Sequence, residues 1–165
     1  MFERLSDLQE AYNYKLGAAL KMEQTVLEKI LDDSIEEVQD PAVRQLFRHH
    51  ADETREQITN LEKVFGLFGW EVDESPCPAI EALHKEAKTN VKKTDDAIVD
   101  SIILAGALET EHHEIAVYEG LIIKARAMGR EDVCALLQQN LEQEQHTLEE
   151  AASALEKVAA AKQPA

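Results

Sequence analysis

The 165-residue sequence predicts an all-α fold, a four-helix bundle with one long crossover that carries a short extra helix. Three observations predict it. Hydrophobic residues make up 44% of the chain but aromatic residues only 5%, and Gly and Pro are few, which is typical of helical proteins. Apolar residues recur at helical spacing along four long stretches. Two connections between these stretches are short, and the third has about 25 residues. A single domain, residues 1–165, is expected at this length.

The first two helices are delimited by their apolar positions and by turn residues. Helix 1 is expected over residues 7–37. Its apolar face is formed by Leu16, Ala19, Leu20, Val26, Leu27, Ile30 and Leu31. Asp40 followed by Pro41 indicates a helix start, with Asp as the N-cap and Pro in the first turn. Helix 2 is therefore expected to run to about Phe68 and to end at Gly69.

The crossover occupies the region between helices 2 and 3. The Ser-Pro-Cys-Pro sequence at residues 75–78 breaks the chain and can open a short helix that ends near Val91. Asp95 or Asp96 is the expected N-cap of helix 3. The crossover is long enough to cross the bundle, so helices 2 and 3 are expected to be parallel.

The second pair of long helices is joined by a glycine turn. Helix 3 is expected to run to about Met128 and to end at Gly129. Helix 4 follows over residues 131–160, and the tail at residues 161–165 is expected to fray. Short turns make the helices of each pair antiparallel, which completes the predicted topology.

The charge and the cysteine content exclude several classes of protein. A net charge of −16 argues against nucleic acids and anionic membranes as partners, because both would repel an acidic surface. Residues 1–4 contain no apolar signal core, and the longest nearly apolar run, residues 102–108, is too short to cross a bilayer. Cys77 and Cys134 form neither a disulfide framework nor a zinc-binding spacing. A cytoplasmic protein is expected.

Six ionisable residues occupy positions on the apolar helix faces where leucine or another apolar residue is expected. A buried carboxylate costs several kcal/mol unless a cation meets it. Five carboxylates and one imidazole at one level of a bundle therefore indicate a metal site. So many carboxylates suit Fe or Mn better than structural zinc. The six residues are Glu23, His50, Glu53, Glu111, Glu114 and Glu144.

Sequence spacing places four of these six residues, all of them glutamates, at one height in the bundle. Residues 23 and 53 are equally distant from position 38, and residues 114 and 144 are equally distant from position 129. Each glutamate is thus 15 residues from its turn, roughly 22 Å along its helix. A shift of 91 residues relates the two pairs and indicates a weak internal repeat of two hairpins. We expect these four carboxylates to approach one another in the core.

The positions of the histidines and of one tyrosine on their helices predict which of them lie at this site. His50 is the expected imidazole ligand because it continues the inward stripe of helix 2. His146 lies two residues after the glutamate of helix 4, about 200° round the helix, and should face away. His113 is expected at the surface. Two alternatives stay open: His112 either flanks the site or does not, and Tyr118 is either a hydrogen-bond donor or redox neighbour of the site or a plain core residue.

Three segments carry a resemblance to a known family. They are HADETREQ at residues 50–57 followed by LEKVF at 61–65, EHHEIAVY at 111–118, and QE at 143–144. With them, nearly the whole chain resembles the ferritin-like superfamily, and most closely the YciE/YciF-like stress-associated proteins of bacteria. The resemblance implies a ferritin-like bundle with a di-iron or di-manganese centre, often as a homodimer.

The chain departs from ferritins and rubrerythrins in its ligand order. Those proteins place a histidine three residues after the glutamate of helix 2, whereas here His50 precedes Glu53. The position three residues after the glutamate of helix 4 is Thr147, so the second imidazole is missing. Glu111 and Glu114 are similar to the extra-carboxylate arrangement of rubrerythrins. Such a site binds metal less firmly or leaves coordination positions open.

Three functions fit this prediction. The first is a di-metal oxidoreductase, ferroxidase-like or peroxidase-like, in which two Fe or Mn ions bridged by Glu53 and Glu144 take up O₂ or peroxide and pass electrons from Fe(II) or an external donor. The second is metal storage without turnover. The third is a non-enzymatic stress-response protein. Metal content, followed by O₂ or peroxide consumption with added Fe(II), distinguishes the three.

Overall fold

The computed structural model describes residues 4–161, and all regular structure within them is helical. The helices are α1 Leu8–Thr25, α2 Asp32–Glu37, α3 Pro41–Phe68, α4 Pro78–Val91, α5 Val99–Ala127 and α6 Glu131–Ala161. A π-helical turn, Val26–Leu31, joins α1 to α2 without a break. The bundle has four long elements. The first is α1 with the π-helical turn and α2, and the others are α3, α5 and α6, while α4 lies in the crossover. This confirms the predicted all-α, ferritin-like bundle with one long crossover carrying a short helix.

Two predictions concern chain ends that lie outside the described residues: the missing signal core, which involves residues 1–3, and the fraying of the tail, which involves residues 162–165. Between these ends, none of the helices combines the length and the apolar character needed to cross a membrane.

The predicted boundaries of α3 are confirmed and have local causes. The Asp40 carboxylate accepts hydrogen bonds from the backbone N–H groups of Ala42 at 2.7 Å and Val43 at 3.4 Å. These bonds satisfy donors that a helix N-terminus leaves free. Gly69 ends α3 and Gly129 follows α5, each with a φ of 70°. This left-handed conformation closes a helix at little cost only when the residue lacks a Cβ.

The start of α5 corrects a prediction. The sequence indicates Asp95 or Asp96 as the N-cap, but the helix begins at Val99 and its N-cap residue is Ile98. The Asp95 carboxylate instead accepts from the backbone N–H of Ala97 at 2.9 Å. An aspartate that closes its own short turn does not cap the helix that follows.

A second difference is the π-helical turn Val26–Leu31, where the apolar spacing predicts one uninterrupted α-helix. The buried Thr25 hydroxyl donates to the carbonyl oxygen of Lys21 at 2.8 Å immediately before this turn. Bonds of this kind compete with the helix ladder and bend helices. The turn begins three residues after Glu23, and π-helical turns are frequent at functional sites.

The crossover is held against the first long element by polar contacts and by one buried side chain. Lys29 Nζ lies 3.1 Å from Glu81 Oε1, and His84 Nε2 lies 2.8 Å from Asp33 Oδ2. Ile80 of α4 is fully buried. These contacts hold α4 against the first long element.

The close approach of the crossover to α1 at Gly17 gives a test of this packing. A Cβ at Gly17 would lie 2.7 Å from the carbonyl oxygen of Asp73. Gly17→Ala should therefore lower the free energy of unfolding by roughly 1–3 kcal/mol, because the backbone must shift. Urea denaturation measures this change.

Gly120→Ala in α5 is the matched control. Among the described residues, nothing lies within 4 Å of a Cβ added there. The substitution should stabilise the helix by roughly 0.5–1 kcal/mol. Equal effects of the two substitutions would contradict the close approach at Gly17.

Candidate metal centre

Four buried side chains from three helices meet in the interior of the bundle. They are His50 on α3, Glu111 and Glu114 on α5, and Glu144 on α6. Each offers one ligand atom, and the four atoms lie within 4.8 Å of one another. None of the four residues is more than 2% exposed. Helix geometry explains the α5 pair, since residues three apart share a face.

The imidazole of His50 is held between the carboxylates and Thr147. Its Nε2 atom lies 3.1 Å from Glu111 Oε1 and 3.9 Å from Glu144 Oε2. Its Nδ1 atom lies 3.3 Å from Thr147 Oγ1, and the Thr147 hydroxyl donates to Glu53 Oε2 at 3.4 Å. Thr147 thus contacts the Nδ1 edge of the ring, where Glu53 Oε2 also lies at 3.9 Å, and Nε2 faces Glu111 and Glu144.

The remaining two predicted ligands flank this group unequally. Glu23 is fully buried, and its Oε1 accepts a hydrogen bond from the Tyr118 hydroxyl at 2.5 Å. The Glu53 side chain is 15% exposed and lies 3.5 Å from Nε2 of the exposed His49. Glu23 therefore belongs to the interior and Glu53 to the rim. That either one binds metal stays a prediction.

Most potential ligand atoms of the cluster make no hydrogen bond within residues 4–161. They are Oε2 of Glu111, both carboxylate oxygens of Glu114 and of Glu144, and, beside the cluster, Oε2 of Glu23. Buried polar atoms are bonded in nearly all proteins, and an isolated buried carboxylate is costly. Carboxylate oxygens with an imidazole nitrogen are a donor set that divalent Fe and Mn accept. The residues present therefore fit a metal ion.

The electrostatics of the cluster follow from its burial. Burial, and after it the neighbouring carboxylates, raise the pKa values of Glu114 and Glu144 well above the usual range. Burial also raises the pKa of Glu23 to about 7. Burial alone would lower the pKa of His50, but Glu111 and the other nearby carboxylates raise it well above its usual value. The metal-free cluster thus holds protons near neutral pH, and metal binding must displace them.

The histidines outside the cluster are placed partly as expected. His146 is exposed, as predicted from its position on the helix. His112 is also exposed and does not flank the cluster. The prediction for His113 was wrong, because it is half-buried and burial lowers its pKa. Tyr118 is more than a packing residue, since its hydroxyl bonds Glu23.

A buried polar layer next to the cluster was missed by sequence reasoning. Asn140 Nδ2 donates to the Tyr118 hydroxyl at 3.1 Å and to the carbonyl oxygen of Gln57 at 3.2 Å. Asn60 Nδ2 donates to Asn140 Oδ1 at 2.9 Å. A signal was present in the sequence: Asn140 lies one helical turn before Glu144 on the same inward face.

Comparisons with known proteins agree with this fold. The family model described as a domain of unknown function, DUF892, matches residues 7–163. Protein YciF of Escherichia coli strain K12 is 31% identical over 105 residues, which are 62% of this chain. The matched region spans 63% of that relative, less than two thirds of its length.

Two solved structures are similar over nearly the whole chain. YcfI of Rhodopseudomonas palustris is 30% identical, with a TM-score of 0.88 over 92% of this chain and 98% of that one. The E. coli stress protein YciF is 23% identical in its crystal structure, with a TM-score of 0.89 over 96% of this chain and 100% of that one. At 23% identity, this second likeness concerns the fold alone.

Proposed function

This chain belongs to the DUF892 family and is homologous to the stress protein YciF, and from that premise we propose that its buried cluster binds two Fe or Mn ions for redox chemistry in stress defence. The loaded protein would pass electrons from Fe(II) or an external donor to O₂ or peroxide. One observation carries the proposal: the cluster of buried ligand atoms within 4.8 Å of one another, several of them without a hydrogen-bond partner among the described residues.

Each side chain of the cluster would have a defined role in metal binding. His50 Nε2 and the carboxylates of Glu111, Glu114 and Glu144 would hold the metal ions, with Glu23 and Glu53 adding oxygen atoms from either flank. When bound, the metal ions would supply the redox chemistry. Complete burial of Glu114 and Glu144 keeps bulk water away from the reacting region. Glu53, at the rim, is the predicted ligand whose side chain is partly exposed to solvent.

Two protein groups would set the orientation of ligands before metal arrives. Thr147 contacts Nδ1 of His50, so that Nε2 is the ring atom directed at Glu111 and Glu144. Tyr118 holds one oxygen of Glu23. Groups that hold ligands in this way usually affect metal affinity strongly.

Oxygen and peroxide consumption by the Fe(II)-loaded protein tests the proposed activity. The wild-type protein should consume O₂ or H₂O₂ faster than the same amount of free Fe(II). Glu144→Gln should reduce the rate to that of free Fe(II), because the substitution replaces a central carboxylate with a neutral amide. Glu149→Gln, an exposed position on the same helix, is the matched control and should leave the rate unchanged.

A different outcome would favour the other functions. Firm metal binding without faster consumption of either oxidant would contradict the redox proposal and support metal storage. Absence of metal binding would support a non-enzymatic stress-response protein.

A further inference from the structure

A chain of hydrogen bonds leads from the bundle surface to Glu23. It begins at the exposed Lys63, whose Nζ donates to Asn60 Oδ1 at 3.2 Å. Asn60 Nδ2 donates to Asn140 Oδ1 at 2.9 Å, and Asn140 Nδ2 donates to the Tyr118 hydroxyl at 3.1 Å. The Tyr118 hydroxyl donates to Glu23 Oε1 at 2.5 Å. We call these five residues and their four bonds the donor chain.

Every bond of the donor chain points in the same direction. Each donor lies on the Lys63 side and each acceptor on the Glu23 side. Aligned bonds polarise one another and gain strength, roughly 10–30% for each bond. The cation at the outer end adds to this effect, because a charged donor makes a stronger bond. Asn60, Asn140, Tyr118 and Glu23 are each at most 8% exposed, so water screens the inner bonds poorly.

The donor chain also crosses the whole bundle. Its members lie on α3, α6, α5 and α1 in turn, so each of the four long elements contributes. In some proteins, a polar layer of this kind does no more than specify how the helices pack. Here, however, the chain ends on one oxygen of Glu23, while the other, Oε2, is buried and has no hydrogen-bond partner within the described part of the protein.

We propose that the donor chain positions Glu23 for metal binding and lets an exposed lysine tune the affinity of the buried centre. It fixes Oε1 and presents Oε2 to the metal. Tyr118 is a positioning residue, since it acts through Glu23 and not on the metal itself. The inference rests on the proposed function, because it requires that the cluster bind metal.

Co(II) titrations by calorimetry, with paired variants, test the outer end of the donor chain. Lys63→Met should weaken Co(II) binding roughly two- to fivefold, the range of one exposed charged contact, because the donor chain then holds Glu23 less firmly. Lys157→Met removes the same charge from an exposed position on α6 and should leave the affinity unchanged.

The inner end is tested in the same way. Tyr118→Phe should weaken Co(II) binding roughly 10–100-fold, as the loss of a group that supports a ligand usually does. The control is Tyr12→Phe, since Tyr12 is equally buried but packs against Phe68 and Trp70, and within residues 4–161 its hydroxyl has no partner. That variant should bind Co(II) like the wild type.

A double-mutant cycle decides whether the two ends are connected. In the Tyr118→Phe background, Lys63→Met should have no further effect, because the chain is already broken. If Tyr118→Phe does not fold, Asn140→Ala replaces it in the cycle. Equal effects of Lys63→Met and Lys157→Met, or additive effects in the cycle, would overturn the inference while leaving the metal site intact. A wild-type protein that binds no Co(II) would overturn both this inference and the proposed function.

Discussion

Replacing His50 by alanine is expected to weaken Fe(II) or Mn(II) binding by more than about 100-fold, since losing a group that only supports a ligand already costs 10–100-fold. His50 brings the imidazole to the described cluster, with Nε2 3.1 Å from Glu111 and 3.9 Å from Glu144. Its loss would leave an all-carboxylate set and a cavity beside it. Elemental analysis after dialysis, followed by competition titration, measures the change.

His146→Ala is the control for this experiment. The same two residue types are exchanged, but His146 is exposed and its Nε2 lies 3.7 Å from Glu150 on the outside of α6. Metal content should stay at the wild-type value. Loss of metal from the His146 variant with retention in the His50 variant would refute the assignment of the imidazole ligand.

The metal-free protein is expected to lose stability as pH rises from 5 to 8, and bound metal is expected to restore it. The pKa of Glu23 rises on folding from 4.5 to about 7, which corresponds to about 3 kcal/mol. For a chain of this length, that is a fall of about 6–12 °C in melting temperature. Glu114 and Glu144 add to the loss, because their pKa values are also raised. Melting curves of metal-free and loaded protein across this pH range measure the effect.

The sign follows from proton binding in the folded and unfolded states. Between pH 4.5 and the raised pKa, the folded protein keeps protons that the unfolded chain has released, so the free energy of unfolding falls as pH rises. The raised pKa of His50 acts in the same direction above pH 6.5. Glu53 has a lowered pKa, because His50 and His49 outweigh its burial, so its contribution is lost only as pH falls below 4.5. Metal bound only to the folded state adds stability by mass action.

Glu144→Gln provides the matched variant for the pH experiment. The neutral amide cannot ionise, so the metal-free variant should lose less stability between pH 5 and 8 than the wild type. It should also gain less from added metal. A metal-free wild-type protein as stable as the loaded one at every pH would mean that the carboxylates do not share one buried site.

The fold was predictable because its decisive features are local. Asp40 and Gly69 mark the ends of α3 through capping chemistry that depends on those residue types alone. The length of the crossover then selects the topology. The start of α5 and the π-helical turn were not predictable in this way. Each depends on whether a side chain such as Asp95 or Thr25 bonds its own neighbourhood instead of the helix.

The residues of the candidate site were predictable from the sequence, but how deeply each one is buried was not. Equal distances from two turns place the glutamates at one height, but the rotation of each helix is set by packing. On α3 the buried face includes Phe47 and Thr54, which turns Glu53 toward the rim. The donor chain depends on contacts between residues such as Asn60 and Asn140, 80 positions apart, that no local pattern reveals. The single domain, the homodimer and the cytoplasmic location stay predictions of the sequence.

The most direct test of the central claim is the location of bound metal in crystals of the protein loaded with Mn(II) or Fe(II). Anomalous scattering should place two metal ions within bonding distance of the buried cluster, with His50 Nε2 and the carboxylates of Glu114 and Glu144 among their ligands. Metal found only on the acidic surface, with the cluster empty at saturating concentration, would contradict the claim that this bundle is built around a metal centre.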